Sequence, residues 1–284
     1  MDDEALLVAD YFLATLGVAM MRTVLRDPAA AEPRRHDMER ILASLDDPLH
    51  AHRMPFSRHG VEEGYSIWAP IYDAPGNPVV ANEQPAVHKL LEDAPRGRAV
   101  DAACGTGRHA AHLASLGYEV IGVDATAAML EVARAKVAGV DFREGRLEHL
   151  PVDEGSVDVV TCGLALEHVD DLGVVMKEFA RVLRPGGWVL CSDTHPIMRV
   201  LGTGAFVPTQ PGGALQLVRG HQTHVHDYLD AFAAAGLALG RCLEPPVTEE
   251  TLQAFPTLSF IPEGTREAFL GLPHIIVWQV VKTS

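Results

Sequence analysis

The run Ala99-Val100-Asp101-Ala102-Ala103-Cys104-Gly105-Thr106-Gly107-Arg108-His109-Ala110 constrains the fold more than any other part of this 284-residue chain. Its first half reads as a buried strand, its glycines as a loop, and its last residues as the opening of a helix. Gly105 and Gly107 lack the Cβ atoms that would hold a ligand off the backbone. The helix behind them offers free N–H groups and a positive dipole end. Seventeen residues beyond Gly107, Val120-Ile121-Gly122-Val123-Asp124 ends a second apolar strand in a carboxylate. An acid there can accept both ribose hydroxyls of an adenosyl group. Taken alone, Gly105, Gly107 and Ala110 also fit the G-x-G-x-x-A dinucleotide fingerprint, and the glycines also fit a tight strand-to-helix turn with no ligand.

Three further features bear on that choice. Asp101 precedes the loop, where a dinucleotide fold usually carries an apolar residue. Residues 155–163 form another strand, followed by Ala165-Leu166-Glu167-His168-Val169-Asp170-Asp171, and residues 179–190 read as a helix end, a Pro-Gly-Gly turn and a fifth core strand. With these motifs in this order, over about residues 62 to 284, the chain resembles the class I S-adenosylmethionine-dependent methyltransferases, specifically the small-molecule branch. The resemblance implies an α/β, Rossmann-like fold: a seven-stranded, mostly parallel sheet with an antiparallel last strand. It also implies S-adenosyl-L-methionine as cofactor. Asp101, Gly105 and Gly107 are then expected along its methionine half, with Ala103 standing where the family has its first loop glycine. Asp124 is expected at the ribose, and Ala125 and Met129 at one face of the adenine, although Met129 also reads as a core residue. Arg146 occupies the place of the family's usual adenine-contacting Asp, which shifts that contact to the backbone of Arg146 and Leu147. Cys162 and Gly163 are expected to present backbone to the cofactor. Tyr65 and Tyr72 lie in a segment, 63–73, that resembles the tyrosine-bearing stretch folded over the cofactor.

The net charge of −15 disfavours nucleic-acid phosphates and anionic membranes as partners. Four cysteines without paired spacing suggest reduced, buried thiols and a cytoplasmic protein. His221, His224 and His226 lack a supporting ligand set, so no metal is expected. The apolar run 5–21, interrupted by Asp10, reads as an amphipathic helix packed on the domain or on a second subunit of a homodimer, not as a span. These signals divide the chain into an N-terminal helical annex or cap over 1–64 and a methyltransferase domain over 65–284. The annex is expected to hold a long helix over 3–27, a short one near 36–45 and a loop-rich stretch over 46–64. In the domain, strands are expected near 98–103, 119–124, 140–144, 157–162, 187–193, 237–243 and 274–282. Helices are expected near 84–93, 107–117, 126–137, 171–184 and 224–235. Two extra segments, 194–220 and 244–273, are expected to act as lids over a substrate pocket, or as surface elaboration or a dimer arm.

Methyl transfer is an in-line displacement at carbon, for which positioning supplies about 7–11 kcal/mol in well-oriented systems. A general base adds about 10²–10⁴-fold where the nucleophile must lose a proton. His195, after the fifth core strand, is the first candidate to orient or deprotonate the acceptor; it equally fits a residue that shapes the loop before Pro196. His168 and Tyr65 come next, and Glu167 equally fits a helix-start acid. The leading function is methyl transfer to O, N or C of a small molecule, plausibly a specialised metabolite. The same fold and cofactor serving a non-methylating reaction such as cyclisation, and a non-catalytic binding module, are the alternatives.

Overall fold

The computed structural model describes residues 5–74, 76–208 and 214–283. The chain begins with strand β1 (Ala5–Leu7) and helices α1 (Val8–Thr23) and α2 (Ala31–Leu42), then strand β2 (Arg53–His59) and helices α3 (Val61–Trp68) and α4 (Pro78–Glu92). Strand and helix then alternate through β3 (Arg98–Ala102), α5 (Arg108–Ser115), β4 (Glu119–Asp124), α6 (Ala127–Lys136), β5 (Asp141–Glu144), β6 (Val157–Gly163), α7 (Leu172–Val182) and β7 (Leu183–Thr194). After them come α8 (Pro196–Val200), β8 (Phe206–Pro208), β9 (Leu215–Val218), α9 (Val225–Ala234), β10 (Leu237–Leu243), α10 (Glu249–Leu252), α11 (Pro262–Phe269) and β11 (Ile275–Lys282).

Seven strands make one sheet in the order β10-β11-β7-β6-β3-β4-β5. The pairs from β7 to β5 are parallel, and β11 runs antiparallel to both of its neighbours. The apolar runs that form the inner strands bury on both faces, as a parallel sheet covered by helices requires, while the edge strands β10 and β5 stay largely exposed. Helix α7 shows the local logic: the Asp171 carboxylate accepts from the Val174 N–H at its start, and Val175, Met176, Phe179 and Val182 form one fully buried stripe. Each such side chain contributes about 1.5–3 kcal/mol by leaving water. The strand order reverses between β3 and β6, and this opens a crevice at their carboxyl ends.

The N-terminal segment departs from the expected annex of two helices and a loop-rich stretch. Its first helix starts only at Val8, because Ala5–Leu7 pair with Arg53–Pro55 as a strand, and the second runs over 31–42. Asp3 and Glu4 lie outside the described residues. Within the stretch expected to be loop-rich, β2 pairs with β9, and the two belong to a second sheet of order β1-β2-β9-β8. A polar strand such as Arg53–His59 is stabilised by a partner some 160 residues away, so no local periodicity announces it. The extra segment after β7 thus joins the N-terminal segment; its Pro211, Gly212 and Gly213 lie outside the described residues. The other extra segment packs on α1: the Arg22 guanidinium donates to the carbonyls of Glu267, Ala268 and Leu270 at the end of α11. Among the described residues no helix is long and apolar enough to cross a membrane.

Candidate active site

A cavity of about 440 Å³ opens at the crevice, where residues after β3, β4, β5 and β6 meet α3. This volume lies in the range of small-molecule sites. Of the residues nominated from sequence, Tyr65, Tyr72, Ala103, Gly105, Asp124, Ala125, Met129, Arg146, Leu147 and His168 line it. Asp101, Gly107, Cys162 and His195 do not.

The loop after β3 owes its shape to three left-handed residues, Ala103 at φ 55°, Gly105 at φ 52° and Gly107 at φ 83°. A Cβ on Gly105 would meet nothing within 4 Å. Asp124 ties this loop to the end of β4: one carboxylate oxygen accepts from Gly105 N at 2.8 Å, the other from Thr126 N at 2.8 Å. Each oxygen keeps a lone pair for a further donor. Burial raises the Asp124 pKa, against the two amides that favour its ionised form.

Asp101 and Gly107 stand behind the site. The Asp101 carboxylate accepts from the Ala110 N–H in the first turn of α5 and from the Thr161 hydroxyl, at 2.8 and 2.7 Å, so it joins β3, α5 and β6. A Cβ on Gly107 would press on Val137 and Phe142 at 3.1 and 3.2 Å, so this glycine serves helix packing rather than ligand approach. Cys162 is buried in the core beneath the sheet edge, and its neighbour Gly163 forms the wall.

Sequence inspection missed what lies under that wall. Glu83 is fully buried and bonds Arg108 at 2.6 Å, His109 at 3.0 Å and Ser192 at 2.6 Å. Burial opposes its ionisation, but His109 and Arg108 outweigh burial and hold the carboxyl far below the usual range. A Cβ on Gly163 would approach His109 Nε2 to 2.6 Å, so the cluster packs directly against the cavity wall. A glutamate in an amphipathic helix carries no sequence mark of such burial.

Tyr65 and His168 are brought together across the cavity. The imidazole Nδ1 lies 2.6 Å from the Arg219 carbonyl oxygen, which can only accept, so Nδ1 carries the proton. Nε2 is then free to accept the Tyr65 hydroxyl at 2.9 Å. Burial lowers the His168 pKa, opposed by Glu167, whose carboxylate lies 3.7 Å from Nε2. Burial, with nearby Tyr72 and acidic groups, raises the Tyr65 pKa well above the phenol range, so the phenol stays protonated at neutral pH. Tyr65 stacks with Trp68, and Trp68 meets Tyr72 edge-on, making one aromatic wall.

His195 is turned away. Its Nδ1 accepts the Ile197 N–H at 3.1 Å as the cap of α8, and its Nε2 meets Glu244 at 2.9 Å. Both ring nitrogens are therefore engaged outside the cavity. His221 pairs with Asp170 and His226 with Asp227, and the Asp227 carboxylate accepts from the His224 backbone. Among the described residues no group of three or more His, Cys, Asp or Glu is placed to hold a metal ion.

Over the mouth of the cavity, α3 and the segment that follows it to Asp73 are each tied down. Arg146 pairs with Glu62, and Asp73 receives Lys136 at 2.7 Å and the Thr106 hydroxyl at 2.8 Å. The lining carries five carboxylates (Glu62, Glu63, Asp124, Glu148, Asp170) against two arginines. An acidic, aromatic-walled cavity with an open loop glycine and a ribose-competent carboxylate fits S-adenosylmethionine, whose sulfonium is a cation.

Residues 100–191 match the methyltransferase domain family. Over 130 residues the chain is 40% identical to malonyl-[acyl-carrier protein] O-methyltransferase of Yersinia pestis, covering 46% of this chain and 45% of that protein. It thus spans less than half of that relative's length. An S-adenosylmethionine-dependent methyltransferase from Mesorhizobium loti superposes with a TM-score of 0.54 at 24% identity, over 69% of this chain and 96% of the other. The [4+2]-cyclase SpnF does so with a TM-score of 0.54 at 17% identity, over 81% and 98%. At these identities the two solved structures share the fold. Fold, motif order and the match over residues 100–191 agree that this chain carries a methyltransferase domain, similar to the S-adenosylmethionine-dependent methyltransferases and suited to S-adenosyl-L-methionine as cofactor.

Proposed function

We propose that the protein transfers a methyl group from S-adenosylmethionine to a small-molecule acceptor of the specialised-metabolite kind, with Tyr65 and His168 handling the acceptor's proton. The observation that carries this reading is the hydrogen bond from the Tyr65 hydroxyl to His168 Nε2 inside the cavity. In this reading Asp124 holds the ribose, the backbone around Ala103 and Gly105 borders the methionine half, and Met129 and Leu147 flank the adenine. When bound, S-adenosylmethionine supplies an activated methyl group on a sulfonium leaving group. The chain's own part is positioning and proton management. A donor on the acceptor hydrogen-bonds to the Tyr65 oxygen; as that proton moves to Tyr65, the phenolic proton passes to His168 Nε2. Glu167 stabilises the resulting imidazolium, while the Arg219 carbonyl keeps the ring oriented. Strand β2, helix α3 and the described residues after β7 form the acceptor's side of the molecule in this scheme.

The test follows a labelled methyl group from S-adenosylmethionine into a pool of small-molecule metabolites, first with the wild type and then with His168→Gln. We expect labelled product, and turnover lowered about 10²–10⁴-fold in the variant with S-adenosylhomocysteine affinity nearly unchanged. Tight cofactor binding with no transfer to any acceptor would overturn methylation. A loss of only a few-fold would remove His168 as a base.

A further inference from the structure

A second cavity, of about 570 Å³, adjoins the first and shares Gly60 and Arg219 with it. Its chemistry is the opposite. Arg58, His59, Arg199 and Arg219 line it, and no aspartate or glutamate is among its described lining residues, in a chain whose net charge is −15. The fold assembles this patch from distant segments. Parallel pairing of β2 with β9 sets Arg58 beside Leu217 and His59 beside Val218, and the Arg219 N–H donates to the His59 carbonyl at 3.0 Å.

The arginines are held to different degrees. Arg199 is fixed: its guanidinium forms an ion pair with the buried Glu167 at 3.1 Å and lies against Gly204 and Gly220, where a Cβ would come within 2.9 and 2.8 Å of its nitrogens. Its Nε is buried without a hydrogen-bond acceptor. Arg58 lies over the Phe56 ring at 5.3 Å. Arg219 meets Asp170 at 3.1 Å with both side chains more than half exposed, a pair of little energy that an incoming anion can displace. The Arg219 carbonyl is the group that orients His168, so the cation and the proposed base are mounted on one backbone segment.

We infer that the second cavity is the acceptor's anchoring subsite and that the acceptor is an acidic small molecule, its carboxylate or phosphate held by Arg58 and Arg219 while its reacting atom lies at Tyr65. This rests on the methyl-transfer reading above. Charge sorts the two ligands: the acidic cavity favours the cationic cofactor, and the basic one favours an anion and raises its local concentration.

The test is calorimetric titration of pyrophosphate, citrate and uncharged glycerol into the protein saturated with S-adenosylhomocysteine, at fixed ionic strength. At least one anion should bind with 1:1 stoichiometry and glycerol should not. Tighter pyrophosphate binding would assign a phosphorylated acceptor, and tighter citrate binding a carboxylic one. Arg58→Gln and Arg219→Gln should each weaken the anion about tenfold or more, and Lys at either position should restore part of the loss. Both side chains are exposed, and S-adenosylhomocysteine affinity in Arg58→Gln reports whether the fold is intact. Absence of 1:1 anion binding, or equal binding by the double Gln variant, would overturn the inference. Failure to bind S-adenosylhomocysteine would instead strike the methyl-transfer reading itself.

Discussion

Replacing Asp124 by Asn isolates the one carboxylate that joins the glycine loop to the cavity. In the wild type each oxygen accepts one backbone N–H at 2.8 Å and keeps one lone pair toward the ligand. Asn retains a single acceptor oxygen. Its amide group then faces either the Gly105 or the Thr126 N–H, donor against donor, and one ribose hydroxyl loses a charged acceptor. A hydrogen bond to a charged group contributes about 1.5–3 kcal/mol. S-adenosylhomocysteine should therefore bind about 10–150-fold more weakly, at 1.4 kcal/mol per factor of ten. Calorimetry measures the affinity, and thermal unfolding without ligand shows how much of the loss is loop destabilisation. The wild type adds a pH check: burial raises the Asp124 pKa, so cofactor affinity should begin to fall with acidification above the ordinary aspartate range. An affinity within threefold of wild type would show that the ribose is not held at Asp124 and would refute the assignment.

Two stability experiments probe the groups beneath the site. Glu83→Gln leaves the Arg108 cation largely buried without its counter-charge and should lower the unfolding free energy by about 3–5 kcal/mol in urea. Because the Glu83 pKa is depressed, its stabilisation is present above the unfolded carboxylate pKa and is lost only as pH falls through the lower folded value. The deficit should therefore be similar at pH 7 and pH 5, and a deficit under 1 kcal/mol at pH 7 would contradict the paired, ionised state. Asp193→Asn should have the opposite effect. Burial and then Glu167 raise the Asp193 pKa well above the usual range, so its contribution is fully present below the unfolded pKa and is lost as pH rises through the folded value. Asn can accept the Thr194 N–H and donate to the Tyr228 oxygen, the two partners that Asp193 holds at 2.9 and 2.8 Å. The variant should gain stability relative to wild type as pH rises toward neutrality; a constant difference from pH 4 to 8 would show that the fold does not raise the Asp193 pKa.

The central sheet was legible because its signals are local. A strand buried on both faces is a short apolar run, and the turn that ends it needs glycine or an acid at once, so 119–124 matches the folded strand and 157–162 misses only Gly163. The exposed edge strand 237–243 also matches, set off by the glycine that closes the helix before it. The same locality placed Gly105 and Asp124 one strand apart. What locality cannot carry is direction and company. Asp101 and Gly107 belong to the same motif as Gly105, yet β3 and α5 turn them into the scaffold while Gly105 opens into the cavity. His195 stands at the right end of β7, but Glu244, 49 residues further on, captures its ring. Tyr65 meets His168 across 103 residues, and the second sheet joins the polar strand β2 to the short strand β9 some 160 residues away, a pairing that no local pattern announces. Sequence alone settled the frame of the central sheet, because hydrophobic period and turn chemistry act over a few residues; only tertiary packing decided the second sheet and which side chains share a cavity, because these depend on groups far apart in the chain competing for the same hydrogen bonds and charges.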